Sequence, residues 1–260
     1  MKETPIIDIS TEDMTKWDFI KGVKPAEFSV MRKKTPARLA IGHTGTRYLT
    51  HAYLRFLADH AAAKDAVNSE ISDEFLLANG LKIFQTQCRT REEYIARPDL
   101  GRLLSDNAKA GIAALNPKPA DVCLYLADGL SAKAIEKNGM DTLLTTKAEL
   151  EASGLTVAQP FVIRYGRVGT MEWVSEILKT PVTCVLIGER PGLGVDDSMS
   201  AYAAYGAAVG MSESQRTVIS NIHGKGTPAV EAGAWLADLL KEMFETRLSG
   251  IALREKQNLK

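Results

Sequence analysis

Only three cysteines occur in 260 residues, Cys88, Cys123 and Cys184, and no two of them form a Cys-x-x-Cys pair. That spacing argues against a zinc knuckle or a dithiol redox motif, and no metal site is expected. An odd number of thiols, set mostly in apolar strand-like runs, suits reduced, buried cysteines of a cytoplasmic protein. Net charge is missing too: lysine plus arginine match aspartate plus glutamate at 32 each, so no global field draws the chain to nucleic acid or an anionic membrane. No apolar stretch approaches about 20 residues and no basic N-terminal region precedes one, which argues against membrane spanning and secretion. Phosphate-binding glycine motifs are absent as well. Gly188 to Gly194 (GERPGLG) is glycine-rich but lacks Gly-Lys-Ser/Thr and the Gly-x-Gly-x-x-Gly spacing, so ATP and NAD are poor candidates.

What is present is enough apolar residue, 45% of the chain, to bury a full core as one large domain or two of ordinary size. Residues 1–36 read as an arm punctuated by Pro5, Pro25 and Pro36. Ser10 with Asp13 forms a capping-box pattern ahead of an apolar stripe of Met14, Trp17, Ile20 and Val23, which fits either a partner or the arm's own domain. Residues 37–117 read as mainly helical, with Thr50 capping a long helix whose apolar face is Phe56, Ala63, Val67 and Ile71. His60 falls on the apolar side beside Asp59, and adjacent helical positions do not face each other, so a structural histidine is favoured over a His–Asp pair.

Past Asn116-Pro117-Lys118-Pro119 the pattern changes to alternating strand and helix. Continuous apolar strands at 121–127, 160–165 and 181–187 alternate with helical stretches at 140–152 and 170–178. A long amphipathic helix follows over 228–245, with Val230, Ala234, Ala237, Leu240 and Phe244 on its apolar side. Such strands belong in a parallel sheet covered on both faces. The expectation is an α/β protein with a Rossmann-like, open, mainly parallel sheet over residues 118–260.

In such a sheet, strand ends and the loops after them line a ligand crevice. Two arginine-bearing turns fall there, Arg164 to Val168 (RYGRV) and Gly188 to Gly194, the second carrying Glu189 and Arg190. Turns of ordinary structural glycines are the plain alternative. Asp128 to Lys133 (DGLSAK) is similar to a hydrolase nucleophile elbow, and Ser131, then Asp196 or Asp197, then His223 follow in the order of an α/β-hydrolase triad. Lys133, however, stands where the elbow needs a small residue, and a helix N-cap explains Ser131 equally well. Asn221 to Pro228 (NIHGKGTP) is a glycine-rich loop whose amides can approach a large ligand closely, although Thr227 and Pro228 are also a plain helix start.

From about Ala37 onward the chain resembles the small (light) subunit of ethanolamine ammonia-lyase. The motifs are GHTGTRYLT, DHAAAKDAV, RPDLGR, DVCLYLADGLSA, RYGRV, GERPGLG, SMSAYAAYG and TVISNIHGKGTP, in that order and spacing. The resemblance implies an adenosylcobalamin-dependent radical lyase split between two chains, in large assemblies of paired large and small subunits. A TIM-barrel large subunit holds ethanolamine, and cobalamin lies between it and this Rossmann-like small subunit. Homolysis of the cobalt–carbon bond yields an adenosyl radical, and the substrate leaves as acetaldehyde and ammonia. The small subunit then carries no catalytic residue. Cobalamin contacts carried over by motif are Val168, Glu189 and Val218, the last standing where the family pattern has cysteine. His43 and Ala62 also depart, at positions where arginine is more usual. Ethanolamine-using systems further suggest a bacterial microcompartment as the location. None of His43, His51, His60 and His223 sits in Asp-x-His-x-x-Gly, the pattern of a protein histidine on cobalt, so a base-on cofactor is expected. A self-sufficient hydrolase and a purely architectural subunit are the two rival readings.

Overall fold

The structure, a computed structural model, describes residues 8–13, 16–17, 25–35 and 37–258. The chain divides into a smaller unit, residues 1–65 with 192–195, and a larger one, residues 66–191 with 196–260.

The smaller unit contains α1 (Pro25–Arg32), a hairpin of β1 (His43–Thr44) and β2 (Arg47–Tyr48), and most of α2 (Thr50–Asn68). The inward side of α2 carries Ala52, Arg55 and Asp59, all buried, while Phe56 is 37% exposed, so the helix is turned relative to the apolar stripe read from sequence. Full pairing allows charges on that side: Arg55 Nε donates to Asp59 at 2.8 Å and its Nη1 to the carbonyls of Ile9 and Glu12, while Arg38 bonds the other Asp59 oxygen. His60 stacks on Phe56, while the two Asp59 oxygens are taken by Arg38 and Arg55. Asp8, not Ser10, caps the short turn Ile9–Thr11. Met14, Ile20 and Val23 lie outside the described residues.

The larger unit is built on six strands, β3 (Lys82–Gln85), β4 (Val122–Ala127), β5 (Phe161–Arg164), β6 (Val182–Gly188), β7 (Met199–Tyr205) and β8 (Thr217–Ile222). Its helices are α3 (Asp73–Ala78), α4 (Arg91–Ala96), α5 (Asp106–Leu115), α6 (Ala132–Ala134), α7 (Met140–Ala152), α8 (Thr170–Leu178), α9 (Ala229–Thr246) and α10 (Gly250–Asn258), with a π turn at Ile135–Gly139 between α6 and α7. Strand order is β3-β5-β4-β6-β7-β8. The first four strands are parallel, and β7 and β8 add on antiparallel, so the sheet is mixed. The parallel strands, in the order β3-β5-β4-β6, do not follow the strand order of a Rossmann fold. Residues 37–117, read as mainly helical, also supply the edge strand β3.

Every residue of β4 and of β6 is buried, because the two faces of the sheet are both covered. Val122, Leu124 and Leu126 point into one core with α7 and α9; Cys123, Tyr125 and Ala127 point into the other with α5 and α8. All three cysteines are buried and free. The inward face of α9 is Ala232, Leu236, Ala237, Leu240 and Met243, rotated from the expected stripe so that Val230 is 58% exposed. The rotation brings Gly233 against α7, where Thr146 Oγ1 donates to the Gly233 carbonyl at 3.0 Å.

Candidate functional site

The connection leaving β4 passes to the α7 face and the one leaving β5 to the α8 face. Adjacent parallel strands whose connections part in this way open a crevice at their carboxyl ends, the usual ligand position in open α/β sheets. The RYGRV turn leaves β5 there. Tyr165 adopts a left-handed backbone (φ 57°), rare for a bulky residue and kept only where the surroundings hold it. They do: Thr86 Oγ1 donates to its carbonyl at 3.0 Å, its ring stacks on Tyr94, and its hydroxyl reaches Glu70. Burial and the Glu70 carboxylate push the Tyr165 phenol up to about 12. Beyond it, the Arg167 guanidinium lies 4.3 Å over the Tyr94 ring. Thr170 Oγ1 closes the turn onto α8, bonding the Arg167 carbonyl and Tyr125. A cavity of about 720 Å³ lies alongside, lined by Gln85, Thr86, Gln87, Arg89, Asn107 and Arg164. The Nε atoms of Arg164 and Arg167 are buried without a hydrogen-bond partner among the described residues.

Glu189 follows β6 and faces the α8 side of the sheet. Its carboxylate accepts from Ser198 Oγ at 2.7 Å, from Ser200 Oγ, and from the Asn221 N–H at 3.1 Å. Burial alone would raise this acid, but the bonds from Ser200, Asn221 and Ser198 outweigh it and hold the carboxyl below its ordinary range. Neither Arg190 nor Arg167 is among its partners. Asn221 is presented by an irregularity in the β7–β8 pairing between Met199 and Ala201, and it too has a left-handed backbone (φ 64°). Bulges of this kind re-aim groups beside sites, and asparagine tolerates that conformation better than most residues.

Register places Val218 directly opposite Tyr202, which lies opposite Val185 on the α8 side of β6. Val218 is 47% exposed there, at the sheet edge. Val168 is partly buried and packs on the same core at the start of α8. Val168, Glu189 and Val218 therefore lie on one side of the sheet. Sequence reading missed the partners Ser198, Ser200 and Asn221; the period-two placing of the serines around Met199 was the available signal.

The hydrolase constellation does not assemble. Ser131 is fully buried, donates to the Asp196 backbone carbonyl at 2.8 Å and accepts from the Ala134 N–H at 3.1 Å, as a helix N-cap does. The carboxylates of Asp196 and Asp197 pair with Lys133 and Lys137. Both ring nitrogens of His223 are engaged, Nε2 with Asn221 Oδ1 at 2.8 Å and Nδ1 with the Lys225 N–H at 3.3 Å. Ser131→Ala is therefore expected to cost about 1 kcal/mol in thermal or urea unfolding; wild-type stability in the variant would contradict the capping role.

Among the described residues no group of His, Cys, Asp and Glu could hold a metal ion, and no helix is long and apolar enough to cross a membrane. The fold and site define a mixed-sheet α/β protein with a polar cluster at the strand ends, in which Ser131, Asp196, Asp197 and His223 are engaged with other partners. Residues 25–254 match the family model described as ethanolamine ammonia-lyase light chain (EutC). The chain is 50% identical over 228 residues to the ethanolamine ammonia-lyase small subunit of Clostridium tetani, covering 88% of this chain and 77% of that one. It is 46% identical over 250 residues to that of Fusobacterium nucleatum, covering 96% and 85%. The chain belongs to the ethanolamine ammonia-lyase small-subunit family and is thus a lyase subunit.

Proposed function

We propose that this chain holds adenosylcobalamin, base-on, against a larger TIM-barrel subunit that binds ethanolamine and releases acetaldehyde and ammonia. Residues 118–260 form the cobalamin-binding domain, residues 37–117 a mainly helical support and residues 1–36 an arm. The observation that carries this reading is the common side of the sheet shared by Val168, Glu189 and Val218. When bound, the cofactor supplies the radical chemistry, and the protein supplies binding and orientation.

The residues present fit such a ligand. An ionised carboxylate offers roughly four acceptor sites. Chain donors use three at Glu189, which leaves one for an amide side chain of the corrin. Val168 and Val218 offer apolar contact; at Val218 the contact is one of shape and needs no thiol. His223 has both ring nitrogens occupied, which favours a cofactor that keeps its own benzimidazole on cobalt. Assembly as paired large and small subunits, in the cytoplasm or inside a microcompartment, belongs to the same reading.

Co-expression with the large subunit tests it. The two chains should co-purify and take up cobalamin with visible corrin absorption. The nitrogen splitting in the electron paramagnetic resonance spectrum of bound cob(II)alamin should be unchanged by nitrogen-15 labelling of the protein. Failure to co-purify or to bind corrin would overturn the function, and an isotope-sensitive splitting would overturn the base-on state.

A further inference from the structure

We propose that Asp128, clamped by Arg91, is a positioning residue that sets the spacing of the two turns facing cobalamin; this rests on the cofactor-holding role argued above. Asp128 directly follows β4, the strand between β5 and β6, and is 1% exposed. Its Oδ1 accepts the Gly166 N–H at 3.1 Å, in the middle of RYGRV. Two residues on, the Leu130 N–H donates to the Gly188 carbonyl at 3.0 Å, at the root of the Glu189 turn. Gly129 between them has φ 55°, and a Cβ there would collide with the Gly188 carbonyl oxygen. One four-residue turn therefore touches both candidate contact loops.

Arg91, 5% exposed, fixes that turn from α4. Its Nη1 donates to the Gly129 carbonyl at 2.9 Å and lies 3.5 Å from Asp128 Oδ2, while its Nε donates to the Val67 carbonyl at 2.6 Å. Tyr94, also on α4, donates its hydroxyl to the Gly166 carbonyl at 3.1 Å, so RYGRV is held on both sides. Asp128 Oδ2 and Arg91 Nη2 make no hydrogen bond among the described residues. A buried pair left partly unsatisfied is a poor device for stability alone, and such costs concentrate at functional sites.

The titratable and charged groups facing Asp128 are Arg91 and Tyr94 from α4 and Tyr165 from the β5 turn. Arg164, Arg167, Cys88 and Glu70 surround those tyrosines. From β6 and α6 come the backbone carbonyls of Gly188 and Ser131. Burial pushes the Asp128 acid up to about 6, against the hydrogen bonds of the turn and the Arg91 charge. A raised acid adds stability that is complete below its unfolded value and is lost as pH rises through its folded value. Cobalamin affinity should run the other way, because protonation removes the charge that holds Arg91 and slackens the turn. A merely structural Asp128 would make affinity follow stability.

The test uses the full complex with the large subunit and cyanocobalamin as probe. Affinity is read from corrin absorption between about pH 5.5 and 8, with unfolding midpoints measured alongside. Wild type should bind more weakly below about pH 6 without a matching loss of stability. Asparagine offers one acceptor oxygen in place of two, so Asp128→Asn should weaken binding about tenfold at pH 8 and abolish the step. Its effect should be less than additive with that of Val168→Ala. Wild-type affinity and pH profile in Asp128→Asn, with Val168→Ala weakened, would overturn the positioning role alone. Unchanged affinity in both Val168→Ala and Glu189→Ala would overturn the contacts and this role with them. If Asp128→Asn does not fold, Arg91→Lys, which keeps the charge but not the forked geometry, is read by the same outcomes.

Discussion

Gly188→Ala is expected to destabilise the larger unit by on the order of 3–5 kcal/mol and to abolish cofactor uptake. A Cβ at position 188 would collide with the Ser131 carbonyl oxygen and lie 2.6 Å from that of Asp128. Both obstacles are backbone, fixed in turn by the Leu130–Gly188 hydrogen bond and the Ser131 cap, so no flexible side chain can yield. Relief requires β6 to withdraw from the β4 turn, and that separates the two turns the cofactor is proposed to bridge. For a unit of this size the cost corresponds to a fall in melting temperature of roughly 10 °C. Differential scanning calorimetry of the purified complex, with corrin absorption after incubation with cyanocobalamin, measures both. A variant melting within a degree or two of wild type would mean that the strand end is not packed as described.

How far such a site can be read from sequence depends on what each residue advertises. The uninterrupted apolar runs of β4 and β6 announce strands buried on both faces, and the structure has them there. β7 announces itself weakly, because three of the seven residues of Met199–Tyr205 are alanine, which is depleted in strands. Its antiparallel pairing with β6 is what makes the sheet mixed. β3 is four residues inside a helical stretch, and only its pairing with β5 identifies it. Glu189 was legible as a charge at a strand end, and so was the RYGRV turn. The left-handed backbones of Tyr165 and Asn221 were not, since each is imposed by tertiary contacts on a residue that prefers other conformations locally. Asp128 was visible only as part of an apparent nucleophile elbow. Its burial beside Arg91, 37 residues earlier in the chain, depends on how α4 meets the sheet.

Glu189→Ala is expected to weaken cyanocobalamin binding and also to cost about 2–4 kcal/mol of stability. The geometry gives it a second task, because the same group joins the end of β6 to Ser198 just before β7, to Ser200 within β7 and to Asn221 in β8. Without it, the Asn221 N–H loses its acceptor and two buried hydroxyls lose theirs. Glu189→Gln separates the two tasks. It keeps the volume and one acceptor oxygen, so it should retain most of the stability at neutral pH while losing the charge-assisted part of binding. The pH dependence follows from the lowered acidity of Glu189. A carboxyl held below its unfolded value adds stability that is complete above about 4.3 and lost as pH falls through the lower, folded value. The stability gap between wild type and Glu189→Gln should therefore narrow in urea titrations run below about pH 4. A gap that is constant with pH would show that the carboxylate is not held ionised by these three donors, and wild-type stability in Glu189→Ala would show that it does not tie the strands at all.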